Sequence, residues 1–295
     1  MRALEAMKTM FFHTQRTFRM HAFHSGVMAA LCLLLMTLSS GCGEESTTDK
    51  PSSVSEGSGA LKSPSGNDPR FEIARRLLRS GDFNGTEVLL EAILAEHPDN
   101  ARAMFLLGVS IQKQKRYEAA LARFDSAIKM NQSFPEEAHE DHFRGWCLYH
   151  LGRLDEAKSA FNAHAELFPD EGDTQFGLGI IALDQGDLEL ATTHLERAIE
   201  LQSSLDGRKR EVAKAHARLG DVHLGLDRLD DARESYHTAV KRWPDHYEAW
   251  SKLARVLDRV GEPEMAERAR AEEVKARQRT GRPVEGMDLP LEPSS

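Results

Sequence analysis

Three patterns of apolar and polar residues follow one another along the chain. An apolar run, Val27–Met36, comes first; Arg16 and Arg19 precede it and small residues follow it. A polar stretch comes next, and residues 43–69 hold seven serines, four glycines and three prolines. Apolar residues then recur at helical spacing over residues 67–279, which indicates a long α-helical region.

The order of positive, apolar and small residues at the start is typical of a secretory signal. The apolar run is shorter than the roughly 20 residues that a membrane-spanning helix needs. We therefore expect residues 1–41 to be a signal peptide, with a short anchor or a buried helix as the alternative. Residues 42–66 are predicted to be a flexible linker, because so few apolar side chains cannot offset the entropy lost on ordering.

Ser39-Ser40-Gly41-Cys42 resembles the lipobox of bacterial lipoproteins, although Ser39 stands where that family favours leucine. The resemblance implies that Cys42 is the lipid attachment site and that lipid anchors the chain to a membrane of the bacterial cell envelope. Gly43, in place of an aspartate, favours the outer membrane. Ordinary cleavage near this position is the alternative. Because Cys147 is then the one cysteine left in the folded region, no disulfide framework is expected.

The helical region repeats itself with a period of 34 residues. The stretches "LLGVSIQKQKRYEAALARFDSAI" and "GLGIIALDQGDLELATTHLERAI" show the pattern, with a small residue at position 8 of each repeat and a large apolar residue at position 24. It resembles the tetratricopeptide repeat, a pair of helices. The resemblance implies an all-α solenoid of about five to six helix-turn-helix repeats.

The predicted repeats are residues 67–100, 101–134, 138–171, 172–205, 213–246 and 247–279. Extra residues lie between repeats at 135–137 and 206–212. Arg270 replaces the large core residue of the sixth repeat, which fits a solvated terminal cap. Residues 280–295 are rich in proline and predicted to be a disordered tail.

Composition and motifs argue against several functions. The chain carries 47 acidic and 38 basic residues, a net charge of −9, so nucleic acid is not expected as a partner. No nucleophile-elbow, phosphate-loop or paired-cysteine pattern appears, and Gly177-Leu178-Gly179 lies within a predicted helix instead of after a strand. The spacing of His139, His142 and neighbouring acids matches no recognised metal site. We expect no enzyme activity, no cofactor and no metal.

Solenoids bind partners on the extended surface that their first helices form. The residues predicted to bind a partner are three aromatics with apolar neighbours and a basic group near the end of the array: Phe105, Val109, His142, Trp146, Phe176, Ile180, Arg218, Lys252 and Arg255. They favour a protein or peptide partner, such as an amphipathic segment with an acidic flank. Alternatively these side chains only pack neighbouring helices, or a homodimer or the tail covers them.

The predicted function is a membrane-anchored scaffold or adaptor that mediates protein–protein interaction in a bacterial envelope. Two alternatives remain. The chain is a non-catalytic subunit of an envelope enzyme complex, or it is a glycan- or peptidoglycan-binding module that uses Trp146, Phe176 and His142 as a stacking platform.

Overall fold

The computed structural model describes residues 68–281; the predicted signal peptide, the predicted linker with Cys42, and residues 282–295 lie outside this part. Residues 68–281 form twelve α-helices and a short 3₁₀-helix, Glu137–His139, and contain no strand. The helices are α1 Pro69–Ser80, α2 Phe83–Glu96, α3 Ala101–Lys113, α4 Tyr117–Met130, α5 Glu140–His150, α6 Leu154–Leu167, α7 Gly172–Asp184, α8 Leu188–Ser203, α9 Lys209–Gly225, α10 Leu229–Arg242, α11 Tyr247–Arg259 and α12 Pro263–Arg279.

The helices form six consecutive pairs, each an odd-numbered first helix followed by an even-numbered second helix. Every helix packs on the next one along the chain, and the first helices α1, α3, α5, α7 and α9 also contact one another in succession. Contacts are therefore made within a pair or with an adjoining pair, as in a solenoid. The prediction of an all-α repeat solenoid is confirmed.

Small residues at position 8 allow the two helices of a pair to approach closely. A Cβ atom on Gly108 would lie 2.6 Å from Cε1 of Phe124, and one on Gly220 would lie 2.6 Å from Cε1 of Tyr236. Both rings are fully buried. Since real Cβ contacts do not occur at such distances, the glycine and the large residue at position 24 form one packing unit in repeats two to five.

The turn inside each pair passes through a left-handed residue at position 15. Four repeats place glycine there, and φ at Gly81 is 80°. Repeats two and five place Lys115, with φ of 63°, and Asp227, with φ of 56°, at the same position. Glycine adopts this conformation without steric cost, whereas a side chain with a Cβ does not.

Residues 134–136, at the junction of repeats two and three, hold the neighbouring helices together. The ring of Phe134 lies 5.5 Å from that of Phe105. The carboxylate of Glu136 accepts hydrogen bonds from Nε and Nη2 of the buried Arg102 at 2.9 and 2.8 Å. The same guanidinium lies 4.5 Å above the Phe71 ring. The junction is thus fixed to side chains of repeats one and two.

The second insertion differs from the expected loop. Helix α9 begins at Lys209, four residues before the predicted start of repeat five, so part of the insertion extends this first helix. Arg208 precedes it and binds Oδ2 of Asp173 at 3.2 Å, and Val212 is buried inside the added turn. The insertion therefore fastens repeat five to the first helix of repeat four.

Apolar packing continues through all six pairs up to helix α12, where the exposed face becomes charged. Arg270 there binds Asp258 at 2.7 Å and Glu267 at 2.9 Å instead of entering the core. Cys147 is fully buried in the middle of the array, and burial raises the pKa of its thiol to about 12. A thiol in that environment is inert.

Candidate functional site

The surface formed by the first helices, here called the inner face, holds two adjoining concavities that share His142 and Phe143. One has a volume of about 390 Å³ and lies over repeats one to three, where Leu78 and Phe143 form part of its lining. The other has a volume of about 570 Å³ and lies over repeats two to five. We call the second concavity the central groove, because most of the exposed aromatic and charged side chains of the inner face line it.

Aromatic side chains form the floor of the central groove. Trp146 of helix α5 and Phe176 of helix α7 are partly buried, with ring centroids 6.2 Å apart. His142, also partly buried, meets Trp146 edge-on with centroids 6.4 Å apart. Three of the residues predicted from the sequence are therefore brought together at one exposed surface.

Three other predicted residues belong to the core. Phe105 is 1% exposed, and its ring lies among those of Phe124, Phe134 and Phe143 at centroid distances of 5.4 to 5.6 Å. Val109 and Ile180 are 7% and 5% exposed. These side chains present almost no surface, so the expectation that they contact a partner is corrected: they pack neighbouring helices, and Phe134 at the end of repeat two helps to cover Phe105.

The predicted basic group is largely neutralised within the chain. Asp221 accepts hydrogen bonds from Nζ of Lys252 at 2.6 and 2.8 Å and from Nη1 of Arg218 at 3.1 Å. The same carboxylate accepts one from the buried Tyr236 hydroxyl at 2.6 Å. Arg255 is exposed. Because the acid and its two basic partners lie on the inner face together, this end attracts an anion less than the basic residues alone suggest.

The groove contains cations and a stacked pair that the sequence analysis did not select. Lys113 and Lys115 lie at one side, and Lys214 of helix α9 lies at the other. Tyr117 stacks on His150, with ring centroids 4.3 Å apart and planes inclined by 15°. Their positions in the repeat could have identified them. Lys113 and His150 occupy position 13 and Lys214 occupies position 2, and side chains at these two positions are expected to line the inner face.

The wall near repeats four and five is built on a buried amide. Nε2 of Gln202 donates to Oδ1 of Asp173 at 2.9 Å, while Oε1 of Gln202 is buried without a hydrogen-bond partner. The other oxygen of Asp173 binds Arg208. Asp173 is therefore neutralised by its neighbours, and Glu211 is the other acid that lines the groove. Lys113, Lys115 and Lys214 therefore leave the lining of the groove with more positive than negative charge.

Two further observations concern the described residues as a whole. Among residues 68–281, no helix is both long enough and apolar enough to cross a lipid bilayer. Within the same residues, no group of three or more histidine, cysteine or acidic side chains has an arrangement that could hold a metal ion. Cys42, the predicted lipid attachment site, lies outside the described residues.

Family models of the tetratricopeptide repeat match most of the helical region. One matches residues 77–140, a second matches residues 112–172 and 217–279, and a third matches residues 170–245. The chain is also 27% identical over 152 residues to mouse "Protein O-mannosyl-transferase TMTC1" and 27% identical over 156 residues to the human protein of that name. These matches cover 51% and 52% of this chain but only 16% and 18% of those proteins.

Several solved structures share the fold at low sequence identity. The Cut9–Hcn1 complex of the APC/C matches with a TM-score of 0.61 and 16% identity, over 70% of this chain and 39% of that one. PilW, described as a type IV pilus biogenesis factor, matches with a TM-score of 0.57 and 19% identity over 72% and 92%. PilF of Pseudomonas aeruginosa matches with a TM-score of 0.56 and 16% identity over 73% and 91%. The family models together span residues 77–279, and the chain belongs to the tetratricopeptide repeat family.

Proposed function

We propose that this chain is a non-catalytic scaffold that binds a segment of a partner protein in the central groove. The observation that carries the proposal is the open concavity of about 570 Å³ with the partly exposed rings of Trp146 and Phe176 in its floor. Large aromatic side chains contribute most of the binding energy when a partner excludes water from them. An apolar side chain of the partner would occupy this floor.

The charges around the floor indicate what accompanies that apolar side chain. Lys113, Lys115 and Lys214 have no ion-pair partner among residues 68–281, whereas Asp173 is bound by Arg208 and Gln202. The groove therefore has an excess of positive charge on its sides. A segment with an apolar residue between acidic residues complements both the floor and the sides.

Lys115 contributes one of these charges at a cost to the backbone. Its φ of 63° is left-handed, at a turn position where four other repeats have glycine and repeat five has Asp227 with φ of 56°. A lysine in this conformation costs about 1 kcal/mol relative to glycine. Because Asp227 shares this conformation outside the groove, the support for a binding role comes from the exposed ammonium group that lines the groove and not from the backbone.

The proposed location is the bacterial cell envelope, with Cys42 carrying the lipid anchor. The support is the order of the preceding residues: two arginines, an apolar run, and Ser39-Ser40-Gly41. PilW, which shares the fold, is described as a pilus biogenesis factor, and a role in envelope assembly would be compatible with such an adaptor. Mass spectrometry of the mature N-terminus tests this part: a diacylated or triacylated Cys42 is expected, and an unmodified terminus elsewhere would contradict it.

Site-specific photo-crosslinking tests the groove in cells. Benzoylphenylalanine replaces Phe176 in one variant and Val88, which is 70% exposed on helix α2, in the matched control. A protein adduct is expected from position 176 and not from position 88. An adduct from position 88 alone, or retention of the chain on purified peptidoglycan without any protein adduct, would overturn the proposed protein-binding function.

A defined peptide measures the chemistry directly. The probe is a fluorescent peptide with one leucine flanked by two glutamates on each side, and its control has glutamine in place of glutamate. We expect the acidic peptide to bind more tightly, and Phe176→Ala to weaken binding about tenfold or more. Equal affinity for the two peptides would contradict the inference that the lysines favour an acidic partner.

A further inference from the structure

A buried chain of hydrogen bonds connects repeats three and four beneath the inner face. Nδ1 of His139 lies 3.1 Å from Nε2 of His164, and Nδ1 of His164 lies 2.7 Å from the hydroxyl of Thr174. The same hydroxyl lies 3.1 Å from Nδ1 of His142. We call these four residues the histidine chain. It joins the 3₁₀-helix and helix α5 to helices α6 and α7.

His164 is the unusual member of this group. It is fully buried at position 27 of its repeat, where repeats one, two, four and five carry Ile93, Ala127, Ala198 and Ala239 and repeat six carries Glu273. An alanine at this position is therefore compatible with the fold, and the repeat does not need a side chain as large as imidazole there. The hydrogen bonds that it makes to two different repeats are its distinguishing feature.

When the imidazoles are neutral, the hydrogen bonds of the histidine chain fix their tautomers relative to one another. The Thr174 hydroxyl has one proton, so it donates to one of His142 and His164 and accepts from the other. If His164 donates through Nδ1, its Nε2 accepts from His139, and the reverse direction is equally consistent. Either way His164 carries one proton, and a second proton would create a cation in a fully buried position.

The surrounding charges do not compensate such a cation well. Arg75 and Arg79 of helix α1 line the same concavity as the three histidines, together with Glu136 and Glu171. Glu136 is already bound by Arg102 and lies 3.8 Å from Arg75. Lys113 opposes protonation of His142, and Asp141 is the nearby acid that favours protonation of His164.

Burial lowers the pKa of both inner imidazoles. The pKa of His142 falls to about 3 and that of His164 to about 4, in each case mainly because the charged form loses its water. Neighbouring histidines add to both shifts. An exposed histidine of the open form has a pKa of about 6.5, so above this pH both forms are neutral and the closed structure has its full stability. As the pH falls below about 6.5, the open form binds a proton that the closed form does not, and the closed structure loses stability.

We propose that the histidine chain is a proton-sensitive latch that holds repeats three and four together at neutral pH and opens when the surroundings become acidic. Opening exposes His142 and His164 to protonation, and the extra protons then stabilise the open form. Between pH 7.5 and pH 5.0 the opening equilibrium rises by about thirtyfold for each of these two histidines that becomes exposed. His216 and His246 lie outside the histidine chain and also have a pKa lowered by burial. In acid they destabilise repeats five and six in the same way.

The latch also bears on the central groove, and this step rests on the proposed function. His142 belongs both to the histidine chain and to the groove floor, where its ring lies 6.4 Å from that of Trp146. Opening separates helix α5 from helix α7, which carries Phe176. Acid would therefore release a partner that binds across the two rings.

Hydrogen exchange on the full chain without any partner tests the latch apart from the proposed function. Protection factors, which correct for the intrinsic effect of pH on exchange, are compared at pH 7.5 and 5.0. We expect protection over residues 137–146 and 164–176 to fall at least tenfold more than over residues 101–130, which contain no histidine. A uniform loss of protection across these segments would overturn the latch.

Two variants and a second measurement complete the test. His164→Ala should reduce the extra loss of protection in acid by up to about thirtyfold, and His142→Ala with His164→Ala should abolish it. The control His216→Ala, which removes a partly buried histidine of repeat five, should leave it. Nitrogen-15 NMR of the histidine side chains should show His142 and His164 neutral at pH 6.5. Retention of the full acid response in the double variant, or a protonated imidazole at either position at pH 6.5, would contradict the proposal. If the latch opens but the acidic peptide never binds, only the proposed function fails.

Discussion

Lys252 and Asp221 form a bridge between the first helices of the last two repeats, with Nζ of the lysine 2.6 and 2.8 Å from the two carboxylate oxygens. Their side chains are 31% and 16% exposed. Because the Tyr236 hydroxyl also donates to this carboxylate, Asp221 satisfies a buried donor as well as a cation. The pair is thus part of the packing between repeats five and six.

Asp221→Ala should lower the free energy of unfolding by about 2–3 kcal/mol, because it leaves the Tyr236 hydroxyl and the Lys252 ammonium without their acceptor. Urea unfolding followed by circular dichroism measures the change. Asp170→Ala is the control, since Asp170 is 75% exposed in its pair with Arg197 and its loss should cost under about 0.5 kcal/mol. Equal effects of the two substitutions would show that the bridge is a surface ion pair.

Gly108→Ala should destabilise the chain by about 2 kcal/mol, because the new Cβ would meet the Phe124 ring at 2.6 Å. Repeat one combines Ala74 with Leu90 at the same two positions. The double variant Gly108→Ala, Phe124→Leu should therefore lose less stability than the two single changes predict together. Thermal unfolding of the four proteins measures this coupling, and simple additivity would refute the steric explanation.

Glu140→Gln should stabilise the chain above pH 7. Glu140 is 9% exposed, its Oε1 has no hydrogen-bond partner, and burial with nearby Glu137 and Asp141 raises its pKa to about 7. As the pH rises from about 4.5 to 7, the carboxyl group loses its proton in the unfolded state but keeps it in the folded state. The free energy of unfolding therefore falls over this range. The substitution removes this cost, which is about 3 kcal/mol above pH 7.

Chemical denaturation of Glu140→Gln at pH 4.5 and pH 8 provides the measurement. The gain should be large at pH 8 and nearly absent at pH 4.5. Glu118→Gln, at an exposed position of helix α4, is the control and should show no such difference. The same gain at both pH values would mean that the carboxylate is not the source.

Lys115→Gly should raise stability by about 1 kcal/mol, since glycine relieves the left-handed backbone at φ of 63°. Lys115→Ala keeps a Cβ and should not give this gain. Both substitutions remove the ammonium group, so both should weaken binding of the acidic peptide to a similar extent at low salt. A loss of stability in Lys115→Gly would contradict the backbone argument, and unchanged peptide binding would contradict the role of this lysine.

The 34-residue period, with small residues at position 8 and large ones at position 24, was sufficient to predict six helix pairs in an all-α solenoid. Gly108 and Phe124 illustrate the reason, because they lie in the same repeat and their contact follows from local helix geometry. The sequence also indicated that first helices form the inner face, where Trp146 and Phe176 lie partly exposed.

Which inner-face residues remain accessible was decided only by contacts between repeats. Phe105 is covered in part by Phe143 of the next repeat, with ring centroids 5.4 Å apart, and Lys252 meets its acid 31 residues away. His164 breaks the repeat pattern, but its partners come from two repeats and could not be paired from spacing. Periodicity records contacts that recur in every repeat, whereas exposure and charge pairing depend on side chains that occur once and meet only after the helices have stacked.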